Sequence, residues 1–220
     1  MTGRTKTPRS EPAGRRSREL TGLRNEAATC RRCPLWRHAT QTVFGAGPPS
    51  AELMLVGEQP GDQEDRQGEP FVGAAGRLLR NGLEKAGIDV ASIYLTNAVK
   101  HFKWKPKGKR RIHERPNREE ILACRFWLDD ELAVVKPRVL VALGATAAAA
   151  LLGSSVRVTR DRGLPIPSAL AQFVTVTVHP SSILRAPDEA ARREAMRLFV
   201  RDLKKIARVL GRPDRPSTGS

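Results

Sequence analysis

Long apolar runs are missing from this chain, and none of its hydrophobic segments is long enough to span a membrane. The amino-terminal stretch MTGRTKTPRSEPAGRRSREL also lacks the apolar core of a secretory signal. Cysteines are scarce as well: the three present are too few for a disulfide framework, and two of them form a C-x-x-C pair. We therefore expect a cytoplasmic protein that does not bind membranes, in which the cysteines serve metal or redox chemistry.

Acidic residues are in the minority, since 39 Lys and Arg face 23 Asp and Glu and the formal net charge is +16. The excess is concentrated: residues 1–18 carry a net +5, residues 100–118 a net +8, and the rest of the chain only +3. Such a distribution favours a polyanionic partner, most often nucleic acid. The alternative, a solvated and disordered segment, is preferred for the amino-terminal stretch but not for residues 100–118.

The two ends of the chain have compositions typical of disorder, because they are rich in Arg, Pro, Ser, Thr and Gly. We predict disordered tails at residues 1–17 and 212–220. Residues 18–211 are predicted to form one domain, which is long enough to bury a core of ordinary size.

Apolar patterns typical of strands and helices alternate along this domain. Strands are predicted at residues 51–57, 93–99, 138–144 and 172–178, and helices at 17–29, 74–87, 118–135, 145–153 and 188–210. The alternation predicts an α/β fold with three α/β/α layers around a central four-stranded, mainly parallel sheet. Ligands bind such sheets at the carboxyl ends of the strands.

Cys30 and Cys33, in the segment CRRCPL, have a spacing that suits zinc or an iron–sulfur cluster. Cys124 lies in a predicted helix, where its alternative role is that of a small buried hydrophobic residue. A four-ligand site needs one more donor, and His101 directly follows the second predicted strand. A Cys3His site is compatible with this spacing, which leaves the choice between zinc and a cluster open.

The end of the first predicted strand carries a dense acid cluster, GEQPGDQED, which contains Glu58, Asp62, Glu64 and Asp65. A glycine such as Gly57 lets the backbone approach a ligand closely. A carboxylate there can stabilise developing positive charge or position a water molecule. The alternative is a turn with solvent-facing acids.

Three more segments place functional side chains in predicted loops. Phe71 in EPFVGAAG suits stacking on a base, or a hydrophobic plug. Asn97 in TNAVK offers an amide that can read the edge of a base, or cap a turn. The segment HPSSILR brings His179, Ser181, Ser182 and Arg185 to the end of the fourth predicted strand, where the alternative for His179 is a structural, hydrogen-bonded histidine.

The basic segment WKPKGKRRIHERPNR, residues 104–118, is predicted to be a loop. Lys109, Arg110 and Arg111 can neutralise phosphates without regard to base sequence. His113 is then either a polar bystander or the residue that the loop positions.

In GEQPGDQED, EPFVGAAGRLL, YLTNAVK and HPSSILR, together with CRRCPL and Cys124, the chain resembles the iron–sulfur branch, family 4, of the uracil-DNA glycosylase superfamily. The resemblance runs from about Cys30 to Arg201. Three departures point to the UdgX group within it: Gln59 stands where ordinary members have a small residue, His101 stands where they have a cluster cysteine, and KRRIH at 109–113 is an insertion.

The resemblance implies a set of site residues. The implied ligands of a [4Fe–4S] cluster are Cys30, Cys33, His101 and Cys124. The implied uracil-binding residues are Gly57, Gln59, Asp62, Phe71, Asn97 and His179, and the DNA-binding residues are Lys109, Arg110, Arg111, Ser181 and Arg185. The implied catalytic residues are His113, Glu58, Gln59 and His179.

Members of the UdgX group end covalently bound to uracil-containing DNA, so the resemblance implies a single-turnover trap that attaches the abasic sugar to His113. In this mechanism Glu58 stabilises the sugar cation, Glu58 and Gln59 hold a ring nitrogen of His113, and His179 donates to a uracil oxygen. We expect a monomer that prefers single-stranded DNA. An ordinary hydrolytic family-4 glycosylase and a non-catalytic, zinc-bearing nucleic-acid-binding module remain alternatives.

Overall fold

The computed structural model describes residues 13–211, so the predicted tails at 1–12 and 212–220 lie outside the described residues. The first helix, α1, spans Ala13–Ala27 and begins four residues earlier than the prediction. Residues 13–17, assigned to the disordered tail, are therefore helical. Two features favour this: Ala and Arg are good helix formers, and the Arg16 guanidinium donates to the carbonyl of Val135 over 3.5 Å.

The four predicted strands and the four remaining predicted helices follow, together with three short α-helices and a two-stranded hairpin that the sequence did not predict. In chain order they are β1 (Leu53–Gly57), α2 (Asp62–Gln67), α3 (Ala74–Lys85), β2 (Ile93–Asn97), β3 (Trp104–Lys107), β4 (Arg110–His113), α4 (Arg118–Val135), β5 (Val139–Leu143), α5 (Ala145–Leu152), α6 (Val158–Asp161), β6 (Phe173–Thr177), α7 (Pro180–Leu184) and α8 (Glu189–Leu210). Within residues 13–211, no helix combines the length and apolar character needed to cross a membrane.

The central sheet has the strand order β2-β1-β5-β6, and every neighbouring pair is parallel. Because successive side chains of a strand point to opposite faces, β1 contributes to two cores. Met54 and Val56 pack with α1, α4 and α5, whereas Leu53 and Leu55 pack with α3 and α8. The predicted α/β fold with three layers and a four-stranded sheet is thus confirmed.

The basic segment is more ordered than predicted, since residues 104–113 form the antiparallel hairpin β3–β4 rather than a loop. Trp104 pairs with His113 and Lys107 with Arg110. Gly108 makes the turn with a φ of 58°, in the left-handed region that favours glycine. The sequence did not reveal these strands because their residues are largely polar and exposed, without the alternation of a half-buried strand.

Candidate active site

One cavity of about 740 Å³ opens at the carboxyl edge of the central sheet. Its walls include Glu58 after β1, Phe71 before α3, Asn97 at the end of β2, His113 at the end of β4 and His179 after β6. These residues are far apart in sequence, but parallel strands end at one edge of the sheet and bring their loops together. Further predicted site residues in the walls are Gln59, Ser181 and Arg185.

Phe71 and Asn97 approach each other over Gly57. A Cβ atom at Gly57 would lie 2.3 Å from Asn97 Oδ1 and 2.7 Å from Phe71 Cζ, so a side chain there would displace both groups. Phe71 itself has a φ of 57°, which is uncommon for a residue with a side chain. Arg80 Nη1 donates to the Phe71 carbonyl over 2.7 Å and holds this conformation.

The Phe71 ring also packs against the ring of His179, with 6.2 Å between their centroids and 30° between their planes. The cavity therefore combines an aromatic face, the Asn97 amide and the His179 imidazole. An amide carries both a donor and an acceptor, and an aromatic face suits a flat base. The arrangement can hold a planar, hydrogen-bonding ligand.

A chain of hydrogen bonds runs along another wall and ends at His113. His113 Nε2 lies 3.2 Å from Glu58 Oε1. The Thr146 hydroxyl donates to Glu58 Oε2, and Arg115 Nε donates to Thr146 Oγ1 over 3.0 Å. Burial raises the pKa of Glu58, but the hydrogen bonds from His113 and Thr146 outweigh it and lower that pKa below its ordinary value. The carboxylate is therefore ionised at neutral pH.

Thr146 and Arg115 were missed by the sequence reasoning. Thr146 lies in GAT, directly after the third predicted strand. Its position at the carboxyl end of a strand is the sequence feature that could have identified it as a site residue. Arg115 lies in the basic segment but is 31 residues from Thr146, and the sequence does not reveal their contact.

The role predicted for Gln59 needs correction, although this residue lines the cavity. Its Nε2 donates to the carbonyls of Glu114 and Lys103 over 2.9 and 3.2 Å, and its Oε1 accepts from the backbone N–H of Lys103 over 3.0 Å. The amide is thus occupied by backbone groups and does not hold the His113 ring. It joins the two ends of the hairpin instead, and so fixes the position of the strand that carries His113.

Arg111 and Asp62 also differ from the predictions. Arg111 Nε lies 2.5 Å from Asp62 Oδ1, and its Nη1 lies 2.6 Å from Oδ2 of the buried Asp65. A buried carboxylate needs a partner, and Arg111 supplies it. Arg111 is therefore a clamp within the protein rather than a free phosphate ligand, and Asp62 holds the hairpin rather than a base. Lys109 and Arg110 are exposed and form no ion pair with the carboxylates of residues 13–211.

The ring of His179 has a defined tautomer. The backbone N–H of Ser181 donates to His179 Nδ1 over 3.2 Å, so Nδ1 is an acceptor and the proton of the neutral ring is on Nε2. Burial lowers the pKa of His179 to about 4. The ring is accordingly neutral at pH 7 and can act as an N–H donor.

This low pKa predicts a pH dependence of folding stability. The unfolded chain binds a proton at His179 below the ordinary value of 6.5, but the folded protein binds it only near pH 4. Between these values the unfolded state binds more protons, so stability falls as the pH is lowered from about 6.5 to about 4. We expect a His179→Asn variant to lose less stability over this range than the original protein in urea unfolding measured at several pH values. If the free energy of unfolding changes with pH equally in the two proteins, this expectation is wrong.

The three cysteines lie in the core layer that contains α1 and α4, and His101 interacts with Cys33 at its edge. The hydrogen bond from Cys124 lowers the pKa of Cys33 to about 5, which favours the thiolate that binds metals. Trp127 Nε1 donates to Cys30 Sγ over 3.2 Å, one helical turn from Cys124. His101 is buried; its Nε2 contacts Thr42, whereas its Nδ1 has no hydrogen-bond partner.

No three His, Cys, Asp or Glu side chains in the described part of the chain converge where a single metal ion could sit. The ligands of a [4Fe–4S] cluster bind different irons and surround the cluster, so they need not meet at one point. Three thiols and the unpartnered Nδ1 of the buried His101 form a donor set that fits a cluster and that also occurs in structural zinc sites.

One of the cations in residues 100–118, Lys100, is fully buried. Lys100 Nζ lies 2.5 Å from Glu131 Oε2, and both side chains are 0% exposed. The same ammonium donates to Thr96 Oγ1 over 2.6 Å and to the Asn97 carbonyl over 2.9 Å. Lys100 thus fixes the end of β2, where Asn97 enters the cavity. The sequence does not reveal this pairing, because Glu131 lies 31 residues away in the chain.

Comparison with known proteins agrees with this geometry. The family model described as the uracil DNA glycosylase superfamily matches residues 44–204. The chain is 39% identical over 165 residues to a type-4 uracil-DNA glycosylase of Thermotoga maritima, covering 74% of this chain and 82% of that protein. It is 31% identical over 204 residues to a type-4 uracil-DNA glycosylase of Sulfurisphaera tokodaii, covering 89% and 87% respectively. A Pyrobaculum aerophilum protein of the same description is 35% identical over 176 residues, with 77% and 86% covered.

Proposed function

The chain belongs to the uracil-DNA glycosylase superfamily, and from this membership we propose that it excises uracil from DNA and captures the abasic sugar on His113. The relatives named type-4 uracil-DNA glycosylases support the excision. The observation that carries the capture is the 3.2 Å contact between His113 Nε2 and Glu58 Oε1 in the cavity wall. Gln59, His101 and KRRIH support assignment to the UdgX group.

Recognition begins when uracil leaves the base stack, which costs a few kcal/mol in a duplex and less in a single strand. The proposed preference for single-stranded DNA follows from this difference. The Phe71 ring offers a stacking face, and the Asn97 amide offers a donor and an acceptor to the edge of the base. Phosphates can bind to the exposed Lys109 and Arg110 on the hairpin and to Arg185 in the cavity wall. We propose that the protein acts as a monomer.

Cleavage separates charge. The electron pair of the bond between C1′ and N1 leaves with uracil, and positive charge develops on the sugar. The neutral His179 ring donates a hydrogen bond from Nε2 to the uracil oxygen that gains negative charge. The ionised Glu58 stabilises the sugar cation.

Capture then competes with hydrolysis. An ordinary glycosylase adds water to C1′, whereas here a ring nitrogen of His113 with a free lone pair forms the bond. Glu58 is the group positioned to hold or take up the proton of the ring. An imidazole held beside the sugar has a high effective molarity, which favours the adduct over hydrolysis. The protein therefore reacts about once per molecule.

Thr146 is expected to position Glu58 for both steps. A Thr146→Val variant keeps the shape but removes the hydroxyl donor, so the pKa of Glu58 rises and its carboxylate is held less firmly. We expect single-turnover uracil release to slow about tenfold, in line with the loss of one hydrogen bond to a charged group, and the acid limb of its pH profile to move to higher pH. Thr146→Ser restores the hydroxyl and should recover both the rate and the pH profile of uracil release. If the pH profile of Thr146→Val is unchanged, Thr146 does not position Glu58.

The second part of the proposal is a [4Fe–4S] cluster bound by Cys30, Cys33, His101 and Cys124. The donor set and the unpartnered Nδ1 of His101 support it. The cluster would join the segment after α1, the end of β2 and helix α4, which is a structural contribution. Protein purified without oxygen should be brown if the cluster is present, whereas colourless protein with bound zinc would favour the nucleic-acid-binding module.

Denaturing electrophoresis after incubation with uracil-containing single-stranded DNA tests the function. A heat-stable shifted band supports covalent capture. Free abasic product without a shifted band would identify an ordinary hydrolytic glycosylase instead. An unreacted strand that is bound but not altered would indicate the non-catalytic module.

A further inference from the structure

A second cationic surface lies beside the hairpin, in the segment between α1 and β1. Residues 28–52 contain Arg31, Arg32 and Arg37, and their one acidic residue, Glu52, directly precedes β1. The guanidinium carbons of Arg31 and Arg37 lie 4.8 and 5.8 Å from the centre of the Trp36 ring. Both arginines are exposed, and neither forms an ion pair with a carboxylate of residues 13–211. We call Arg31, Trp36 and Arg37 the tryptophan patch.

The tryptophan patch is continuous with the hairpin. Trp104 pairs with His113 across the hairpin, and its Nε1 donates to the carbonyl of His38 over 2.9 Å. Arg111 Nη1 contacts Thr40 Oγ1 at 3.1 Å on the same segment. A path from His113 therefore crosses one strand and reaches the patch. The carboxylates beside this path, Asp62 and Asp65, are paired with Arg111, and neither contacts Arg31 or Arg37.

The patch differs from a set of freely moving surface cations. A guanidinium within cation–π distance of an indole is partly ordered by that contact and keeps N–H donors that can bind an anion. Less side-chain freedom is then lost when a phosphate binds. On β3, Lys105 and Lys107 are also exposed, on the hairpin face opposite Trp104 and His113, so they add to the positive field around the patch without extending it.

We infer that the tryptophan patch binds the phosphates of the DNA strand that continues past the flipped uracil. This inference rests on the proposed action on DNA, but not on cleavage or capture. Continuity with the hairpin favours a nucleic-acid strand over an acidic protein segment, since the strand held at His113 must continue along a neighbouring surface. Binding would be independent of base sequence and sensitive to salt.

The test compares how affinity grows with strand length, using single strands of about five and about twenty nucleotides, which bracket the sites typical of strand-binding surfaces. The strands carry thymine in place of uracil, so the result does not depend on glycosidic chemistry. We expect the wild-type protein to bind the longer strand more tightly than the shorter one. Arg37→Glu should lose about tenfold of this gain in affinity. The slope of log affinity against log salt concentration should also be smaller by about one for this variant. Arg37→Lys keeps the charge but not the planar guanidinium. Its gain in affinity should lie between those of the wild type and Arg37→Glu.

Arg192→Glu provides the matched control, because Arg192 is exposed on α8 and its replacement changes the net charge equally. It should gain affinity with length as the wild type does. Two outcomes would overturn the inference: an Arg37→Glu variant with the full gain, or an Arg192→Glu variant with the same loss, which would reflect total charge alone. If Arg37→Glu binds DNA strands as the wild type does but no longer binds polyglutamate, the patch would serve an acidic protein partner. This result would overturn the inference as well.

Discussion

His113→Ser should still release uracil but should form no covalent adduct with the DNA. Serine lacks the ring nitrogen that attacks C1′, and its shorter side chain carries only a weakly nucleophilic hydroxyl. Water would enter the space left by the imidazole, so the product becomes a free abasic strand. We expect the heat-stable band on a denaturing gel to fall by more than about a hundredfold, because the high effective molarity of the ring is lost.

A Lys109→Ser variant is the control for this experiment, since it alters the same hairpin but removes only a charge. It should weaken DNA binding and retain the shifted band at high protein concentration. Persistence of the band in His113→Ser would identify another nucleophile and refute the proposed capture.

Glu58→Gln should impair both cleavage and capture. The amide has nearly the shape of the carboxylate but cannot stabilise the sugar cation or accept the proton of His113 by charge. We expect the single-turnover rate of uracil release to fall by about 10²–10⁴-fold, a range typical for the loss of a general base or an electrostatic group. Uracil release can be followed by chromatography with protein in excess over DNA.

Glu84→Gln offers a neutral comparison for this variant, because Glu84 is exposed on α3 and outside the cavity. It should react at the original rate. The two substitutions at the cavity also separate the steps: His113→Ser removes capture alone, whereas Glu58→Gln slows the preceding cleavage. A Glu58→Gln protein that releases uracil within about threefold of the original rate would exclude the electrostatic role.

The fold was predictable because its signals are local. Buried parallel strands such as β1 and β5 are continuous apolar runs, and α3 and α8 carry apolar residues at helical spacing. The hairpin lacked such a signal, since β3 and β4 have no buried residue and their order depends on distant contacts. Those contacts come from Gln59, Asp62 and Asp65.

Within the candidate site, the sequence indicated which residues gather at the carboxyl edge but not what each one contacts. Strand order and the parallel rule suffice to bring Glu58, Asn97 and His179 together. They do not reveal that Gln59 bonds the hairpin backbone or that Thr146 donates to Glu58. Those bonds depend on side-chain directions that arise only when the loops pack.

By itself, the sequence determined the α/β fold, the edge of the sheet that carries the cavity, and the concentration of charge in residues 100–118. Only the tertiary structure decided which of those similar cations are available to a ligand. Lys100 is buried against Glu131 and Arg111 is clamped by Asp62 and Asp65, whereas Lys109 is exposed. The physical reason is that a buried carboxylate must be paired by a cation, and the partner is chosen by proximity in space.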